Sequence, residues 1–161
     1  MLKGSFPRKI QIATGLKRNL SPVRADETLL LQAFLNICNN ARDAMPGGGI
    51  LSIESAALHS TEQDSPGNMV PAGNWALVRF ADDGCGMAAE IAARVFEPFF
   101  TTKTMGRGTG LGLAITHRII ENHQGRIAIH SEPGRGTTVT VYLPVVETRA
   151  LSSQADPDSN T

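Results

Sequence analysis

Gly106-Arg107-Gly108-Thr109-Gly110-Leu111-Gly112-Leu113 is the stretch on which the reading of this chain turns. Glycine recurs at every second position, so backbone N–H groups can approach a ligand with no side chain in the way. An apolar-periodic helix, expected over about Leu111 to His123, begins in the same stretch and ends at Gly125, placed as a C′ residue. Its unsatisfied N–H groups and positive dipole end point at the glycines, an arrangement suited to phosphate. The segment is not a Walker A loop, because no Gly-Lys-Ser/Thr follows, and its third glycine arrives one residue early for the dinucleotide fingerprint. A flexible loop that merely precedes a helix would look the same.

Upstream, Asp26 is a candidate N-cap for a helix over about Glu27 to Met45, whose Leu30, Phe34, Ile37, Cys38, Ala41 and Met45 recur at helical spacing. Pro46-Gly47-Gly48-Gly49 stops it. Asn36, Asn40 and Asp43, spaced four and three apart, share one face of that helix. Asparagine is a poor mid-helix residue, so two on one face of an apolar helix ask for a reason. Side-chain carbonyl oxygens are hard ligands of the kind Mg²⁺ takes beside phosphate oxygens and water. A solvated face is the alternative, and Asn39 fits it. Asp82-Asp83-Gly84-Cys85-Gly86-Met87 follows an expected strand, Trp75 to Ala81. A carboxylate there can accept a hydrogen bond from an exocyclic amine such as adenine N6, although the same residues also make an ordinary tight turn.

Other strands are expected at Lys9 to Ala13, Ile50 to Ala56, and Arg126 to Ser131 with Thr137 to Leu143, the last two a hairpin around Glu132-Pro133-Gly134-Arg135-Gly136. A short helix is expected from Ala88 to Val95, and residues 57–74 read as a mobile surface loop without a part in the chemistry. The apolar pattern fades after Pro144, which suggests a domain over 1–145 and a disordered tail or linker over 146–161.

The 161 residues suit one domain, and 15 Lys+Arg cancel 15 Asp+Glu. Zero net charge argues against a general polyanion binder, hence no nucleic acid. No apolar run approaches the roughly 18–20 residues that span a bilayer, so no membrane contact by this segment is expected. The opening Met-Leu-Lys-Gly-Ser-Phe-Pro lacks a signal-peptide core. Two cysteines, Cys38 and Cys85, support neither a disulfide framework nor a four-thiolate zinc site. A reducing, cytoplasmic setting is the default expectation.

Taken together and in order, these motifs resemble the ATP-binding catalytic domain of bacterial sensor histidine kinases, within the GHKL (Bergerat-fold) superfamily. Asn36 to Met45 resembles the N box, Asp82 to Met87 the G1 box, Phe96 to Lys103 the F box and Gly108 to Leu113 the G2 box. Gly134-Arg135-Gly136-Thr137-Thr138 resembles the last glycine motif. The resemblance covers about residues 8–145. It implies an α+β, two-layer sandwich: a mixed, mostly antiparallel sheet with helices on one face and ATP between lid and helices. It implies that Asn40 ligates Mg²⁺, that Asn36 lines the phosphate and metal region, and that Asp43 sits near ribose or phosphates. Asp82 would read the adenine amino group, with Gly84 and Gly86 shaping the base pocket. Lys103 and the segment Gly106, Arg107, Gly108, Thr109, Gly110, Leu111 and Gly112 would form the lid over the β- and γ-phosphates, its base anchored by Phe96, Phe99 and Phe100. Asn36 and Lys103 would be the catalytic pair. Thr137 is counted with the nucleotide contacts, although Thr137 and Thr138 serve the hairpin first. Arg42 and Arg107 are candidates for stabilising transferred charge, with plain surface arginine as the alternative.

In the superfamily's ATP-hydrolysing members a glutamate general base stands where this chain has Asn36, which cannot abstract a proton. The resemblance therefore favours phosphoryl transfer over self-contained hydrolysis. The expected acceptor is a histidine on a separate dimerisation domain, because His59, His117, His123 and His130 lie in no helical pair. A downstream response regulator would follow, and the parent protein is free to be membrane-anchored. The alternatives are an anti-sigma-type serine kinase of the same superfamily and a non-catalytic, nucleotide-dependent docking module.

Overall fold

The computed structural model describes residues 7–61, 70–102 and 109–146. Five strands form one sheet: β1 (Ile10–Gly15), β2 (Gly49–Ser60), β3 (Gly73–Asp82), β4 (Arg126–Glu132) and β5 (Gly136–Pro144), in the order β1-β2-β3-β5-β4. Only β1 with β2 is parallel, because α1 (Glu27–Ala44) crosses over between them. The other pairs are antiparallel, so the sheet is mixed and mostly antiparallel as expected. α2 (Ala89–Ala92) and α3 (Gly112–Asn122) complete the helices.

Period-two alternation selects the core face. Leu51 and Ile53 of β2, Phe80 of β3, and Val139, Val141 and Leu143 of β5 are buried, and they meet Ala33, Ile37, Cys38 and Ala41 of α1 and Ile119 and Ile120 of α3. Phe34 of α1 packs its ring 5.4 Å from that of Phe80. Asp26 caps α1 as expected, its Oδ1 accepting from Leu29 N–H at 3.0 Å. The last helical residue is Ala44, because Pro46 cannot continue the ladder; Met45 leaves helical geometry and still buries its side chain.

α1 and α3 are tied at both ends. Asp26 N–H at the start of α1 donates to His123 Nε2 just past α3 at 2.9 Å, and Asn36 Nδ2 donates to Gly112 O at the start of α3 at 3.2 Å. The helices therefore run antiparallel. With Nε2 accepting, His123 carries its proton on Nδ1, which donates to Ile119 O at 2.7 Å.

Several expectations are corrected. Residues 57–74 are not all loop: β2 continues to Ser60 and β3 starts at Gly73, with Ala57 opposite Ala76 and Leu58 opposite Trp75. Ser60 and Val70 are buried and Trp75 Nε1 donates to Pro71 O at 3.0 Å. The run Ala56-Ala57-Leu58-His59-Ser60 carries too little apolar alternation to read as strand alone. The helix expected over 88–95 is a single turn, Ala89–Ala92, followed by turns. At the end of α3 the left-handed C′ residue is Gln124 (φ 58), bonded to Glu121 O, while Gly125 is C″, bonded to Ile120 O at 2.9 Å. A Cβ on Gly125 would lie 2.5 Å from Tyr142 O, so close approach rather than turn geometry calls for that glycine. Past Pro144, Val145 pairs with Val23 and Val146 N–H donates to Pro22 O; residues 147–161 lie outside the described residues.

Ile120 is fully buried where α3 meets the sheet. Ile120→Ala should lower unfolding free energy by about 2–5 kcal/mol in urea titrations, with an unchanged denaturant slope.

Candidate functional site

Beneath the two tied helices lies a cavity of about 490 Å³, a volume in the range of small-molecule sites. α1 contributes Asn36, Asn40 and Asp43 to its lining, so the face inferred from residue spacing does turn inward. Asn39 lines the rim as well, although the spacing argument left it to solvent. Asp82 comes from the end of β3, Gly86 from the loop that follows it, and Thr137 from the start of β5. Thr109, Gly110 and Gly112 come from the glycine segment. Apolar walls are supplied by Phe80, Ile129 and Val139 of the sheet and by Met87, Ile91 and Val95.

Two expected residues stand outside the wall. Leu111 occupies the N-cap position of α3, and Gly84 lies behind Asp82. Gly84 N–H donates to Asp82 Oδ1 at 3.0 Å, and a Cβ there would sit 2.8 Å from that oxygen and 2.7 Å from Ala44 O. The glycine thus shapes the pocket by letting the backbone close on the carboxylate. Lys103, Gly106, Arg107 and Gly108 lie outside the described residues. Arg42 donates to Asp43 Oδ1 at 3.0 Å and to Asn39 Oδ1 at 3.1 Å, which commits its guanidinium to neighbours on its own helix.

The two consecutive aspartates have separate tasks. Asp83 Oδ1 accepts from Ile50 N–H at 2.8 Å and holds β2 to the end of β3. Asp82 faces the cavity. Burial pushes its carboxyl above the usual range, against the opposing pull of the Gly84 and Thr137 backbone N–H groups, with Asp83 adding a smaller upward push.

α3 differs from α1 at its beginning. Among the described residues no side chain caps its first turn, and no acidic residue stands there. Its first-turn N–H groups, which have no partner within the helix, and its positive dipole end lie at the glycines of the cavity wall, as an anion site requires.

The three phenylalanines part ways. Phe100 lines the cavity with the Arg94 guanidinium 4.4 Å from its ring centre, and Phe96 packs 5.0 Å from the His117 ring. Phe99 is 75% exposed at φ 67, its N–H bonded to Gly110 O at 2.9 Å, so it anchors nothing by its side chain. Gly110, at φ 65, must be glycine, since a Cβ would meet the Phe99 backbone at 2.5 Å. Cys85 is exposed at the cavity, whereas burial raises the Cys38 thiol to about 11 and leaves it unreactive at neutral pH.

Two polar residues of the site escape the motif reading. Ser131 Oγ accepts from Met87 N–H at 2.8 Å and shares a hydrogen bond with Thr137 Oγ1 at 2.8 Å, joining the two sides of the pocket. Thr116 is fully buried beside Asn36. In each case the only signal is a hydroxyl on the core-facing period of its element. Among the described residues no three His, Cys, Asp or Glu cluster as a metal cage, and no helix is long and apolar enough to cross a membrane.

Residues 25–147 match the family described as histidine kinase-, DNA gyrase B-, and HSP90-like ATPase. The chain is 37% identical to the sensor kinase CckA of Brucella abortus over 145 residues, covering 85% of this chain and 15% of that protein. It is 37% identical to the signal transduction histidine-protein kinase AtoS of Escherichia coli, covering 85% of this chain and 20% of that one. It thus spans a fifth or less of those two relatives. The catalytic domain of histidine kinase ThkA superposes with a TM-score of 0.67 at 28% identity, covering 85% of this chain and 80% of that one. Full-length ShkA in complex with AMPPNP superposes at 0.65 with 28% identity, covering 85% and 26%.

The Asp82 environment yields a stability test. A carboxyl whose folded-state value is raised favours the fold below its unfolded value, and that contribution is lost as pH rises through the raised value. Ionised Asp82 therefore destabilises the ligand-free fold at neutral pH. Asp82→Asn, which keeps an acceptor for Gly84 N–H, should raise the Tm at pH 7, with the gain shrinking as pH falls toward the ordinary carboxylate range. Thermal melts at a series of pH values check this.

Proposed function

Because this chain belongs to the histidine kinase-, DNA gyrase B-, and HSP90-like ATPase family, we propose that it is the ATP-binding catalytic domain of a sensor histidine kinase. Its task is to bind Mg-ATP and present the γ-phosphate to a histidine on a dimerisation domain of the same kinase, from which a response regulator receives it. The observation that carries this reading is the start of α3, without a side-chain cap among the described residues, which opens onto the same cavity as Asp82 and the Asn36, Asn40 and Asp43 face of α1. An anion-binding end, an acceptor for an amino group and a set of hard oxygens are the three needs of one adenine triphosphate.

In this assignment Asp82 accepts from the adenine N6 amino group, and its raised carboxyl gains from a donor that favours the ionised form. Gly84 and Gly86 admit the base. The Gly110 and Gly112 backbone and the α3 N–H groups receive phosphate oxygens, with Lys103, Arg107 and the remaining lid glycines closing over them. Asn40 supplies a side-chain oxygen to Mg²⁺ and Asp43 stands near the ribose or phosphates. A single side-chain oxygen beside phosphate oxygens and water suits this ion, which rarely takes an all-protein cage. Bound there, Mg²⁺ would neutralise charge on the phosphates. Asn36 has no basic group with which to activate water, so the site holds and orients rather than hydrolyses. Domain 1–145 would thus be the catalytic unit and 146–161 a linker or tail, in a cytoplasmic part of the parent protein.

Asn40→Ala should remove the Mg²⁺-dependent part of ATP affinity, at least about tenfold by titration calorimetry, while the Tm of the ligand-free chain stays near that of the wild type. Unchanged Mg-ATP affinity would sink the assignment of Asn40. Labelled ATP with an isolated histidine-bearing dimerisation domain in trans tests the kinase reading; no phosphohistidine after prolonged incubation would favour a docking module.

A further inference from the structure

Thr116 is a polar residue at a core position. It falls on the apolar period of α3 with Leu113, Ile119 and Ile120, and it is 0% exposed. A valine would fill nearly the same space with no hydroxyl to satisfy, and a buried hydroxyl without a partner is costly. The partners here are specific. Thr116 Oγ1 lies 2.9 Å from Gly112 O, 3.4 Å from Asn36 Nδ2 and 3.5 Å from Ala33 O. One hydroxyl has one proton. The shortest contact receives it, so the proton goes to Gly112 O, and the oxygen lone pairs accept from Asn36 Nδ2.

These contacts decide which way the Asn36 carboxamide points. Gly112 O carries no hydrogen, so the Asn36 atom 3.2 Å from it is the amide nitrogen. The same nitrogen faces Thr116 Oγ1. The carboxamide oxygen is therefore the end turned away from α3, on a residue that lines the cavity. Asparagine would otherwise be free to present either end, and the two ends attract opposite charges.

We infer that Thr116 is a positioning residue for the nucleotide site: with its proton committed to Gly112 O, its buried hydroxyl joins that carbonyl in holding the Asn36 carboxamide oxygen-outward, and it ties the start of α3 to α1 where the phosphates are received. The inference rests on the ATP-binding reading above and assigns a residue outside its motifs. It also gives Asn36 a definite partner class. An outward oxygen accepts hydrogen bonds or faces a cation, so Asn36 meets Mg²⁺, a water bound to it, or an N–H donor, and not a bare phosphate oxygen.

The test uses the whole 161-residue chain with Thr116→Val and Thr116→Ser. Mg-ATP affinity is read by calorimetry, adenosine affinity by protein-observed NMR titration, and folding by the Tm. Thr116→Val should weaken Mg-ATP by about tenfold while adenosine changes by less than about twofold, because adenosine engages only the Asp82 end. Thr116→Ser, which keeps the hydroxyl, should return Mg-ATP to within about threefold of wild type. Wild-type Mg-ATP affinity in Thr116→Val overturns the inference. So does a parallel loss of both ligands, or a serine variant as weak as the valine one, since either assigns Thr116 to packing. A wild-type chain that binds neither ligand overturns the ATP reading itself and this inference with it.

Discussion

The site depends on the double tie between α1 and α3. One helix brings side-chain oxygens to the cavity and the other brings the backbone N–H groups of its first turn, and neither alone would line it. Asn36 to Gly112 fixes one end of the pair and Asp26 to His123 the other, so the helices keep their separation over their full overlap. Apolar packing holds both to the sheet, yet packing is tolerant of sliding. Directional bonds at both ends remove that freedom.

Below the helices, the sheet sets the opposite wall by alternation. Asp82 and Asp83 are neighbours in sequence, yet Asp83 holds β2 to the end of β3 while Asp82 faces the cavity. Half-burial of Asp82 raises its carboxyl above the usual range in the ligand-free fold. Under the proposed assignment this poor solvation serves recognition: a group that is poorly solvated before binding has more to gain from a well-placed donor.

Much of this was legible from residues alone. The apolar periods of α1 and α3, the Asp26 cap, the Pro46 stop and the closing hairpin each rest on local chemistry that tertiary context did not override. The inward face of Asn36, Asn40 and Asp43 followed from helical spacing. The failures came where distant partners decide. β2 past Ala56 is built of small and polar residues whose pairing is supplied by β3, information that does not reside in the strand itself. Gln124 took the left-handed position that glycine was expected to fill, because Gly125 was needed one residue later against Tyr142. Thr116 and Ser131 stayed invisible because a hydroxyl at a core position acquires meaning only from partners that are remote in sequence. Phe99 reads as an apolar anchor until its backbone is seen to turn it outward.

The two ties between the helices join residues 97 and 76 positions apart, and the central strand β3 gains its second neighbour only when β5 is in place. Loop-closure entropy of that kind must be met before any local contact can reward it. As the chain leaves the ribosome, α1 can pack on β2 and β3 but lacks its helical partner α3 until more than three-quarters of the domain has been made. The amino-terminal half is on its own an incomplete sheet whose helix α1 lacks the cover of α3, so synthesis interrupted before β5 yields a target for chaperones and proteases rather than a smaller version of the domain.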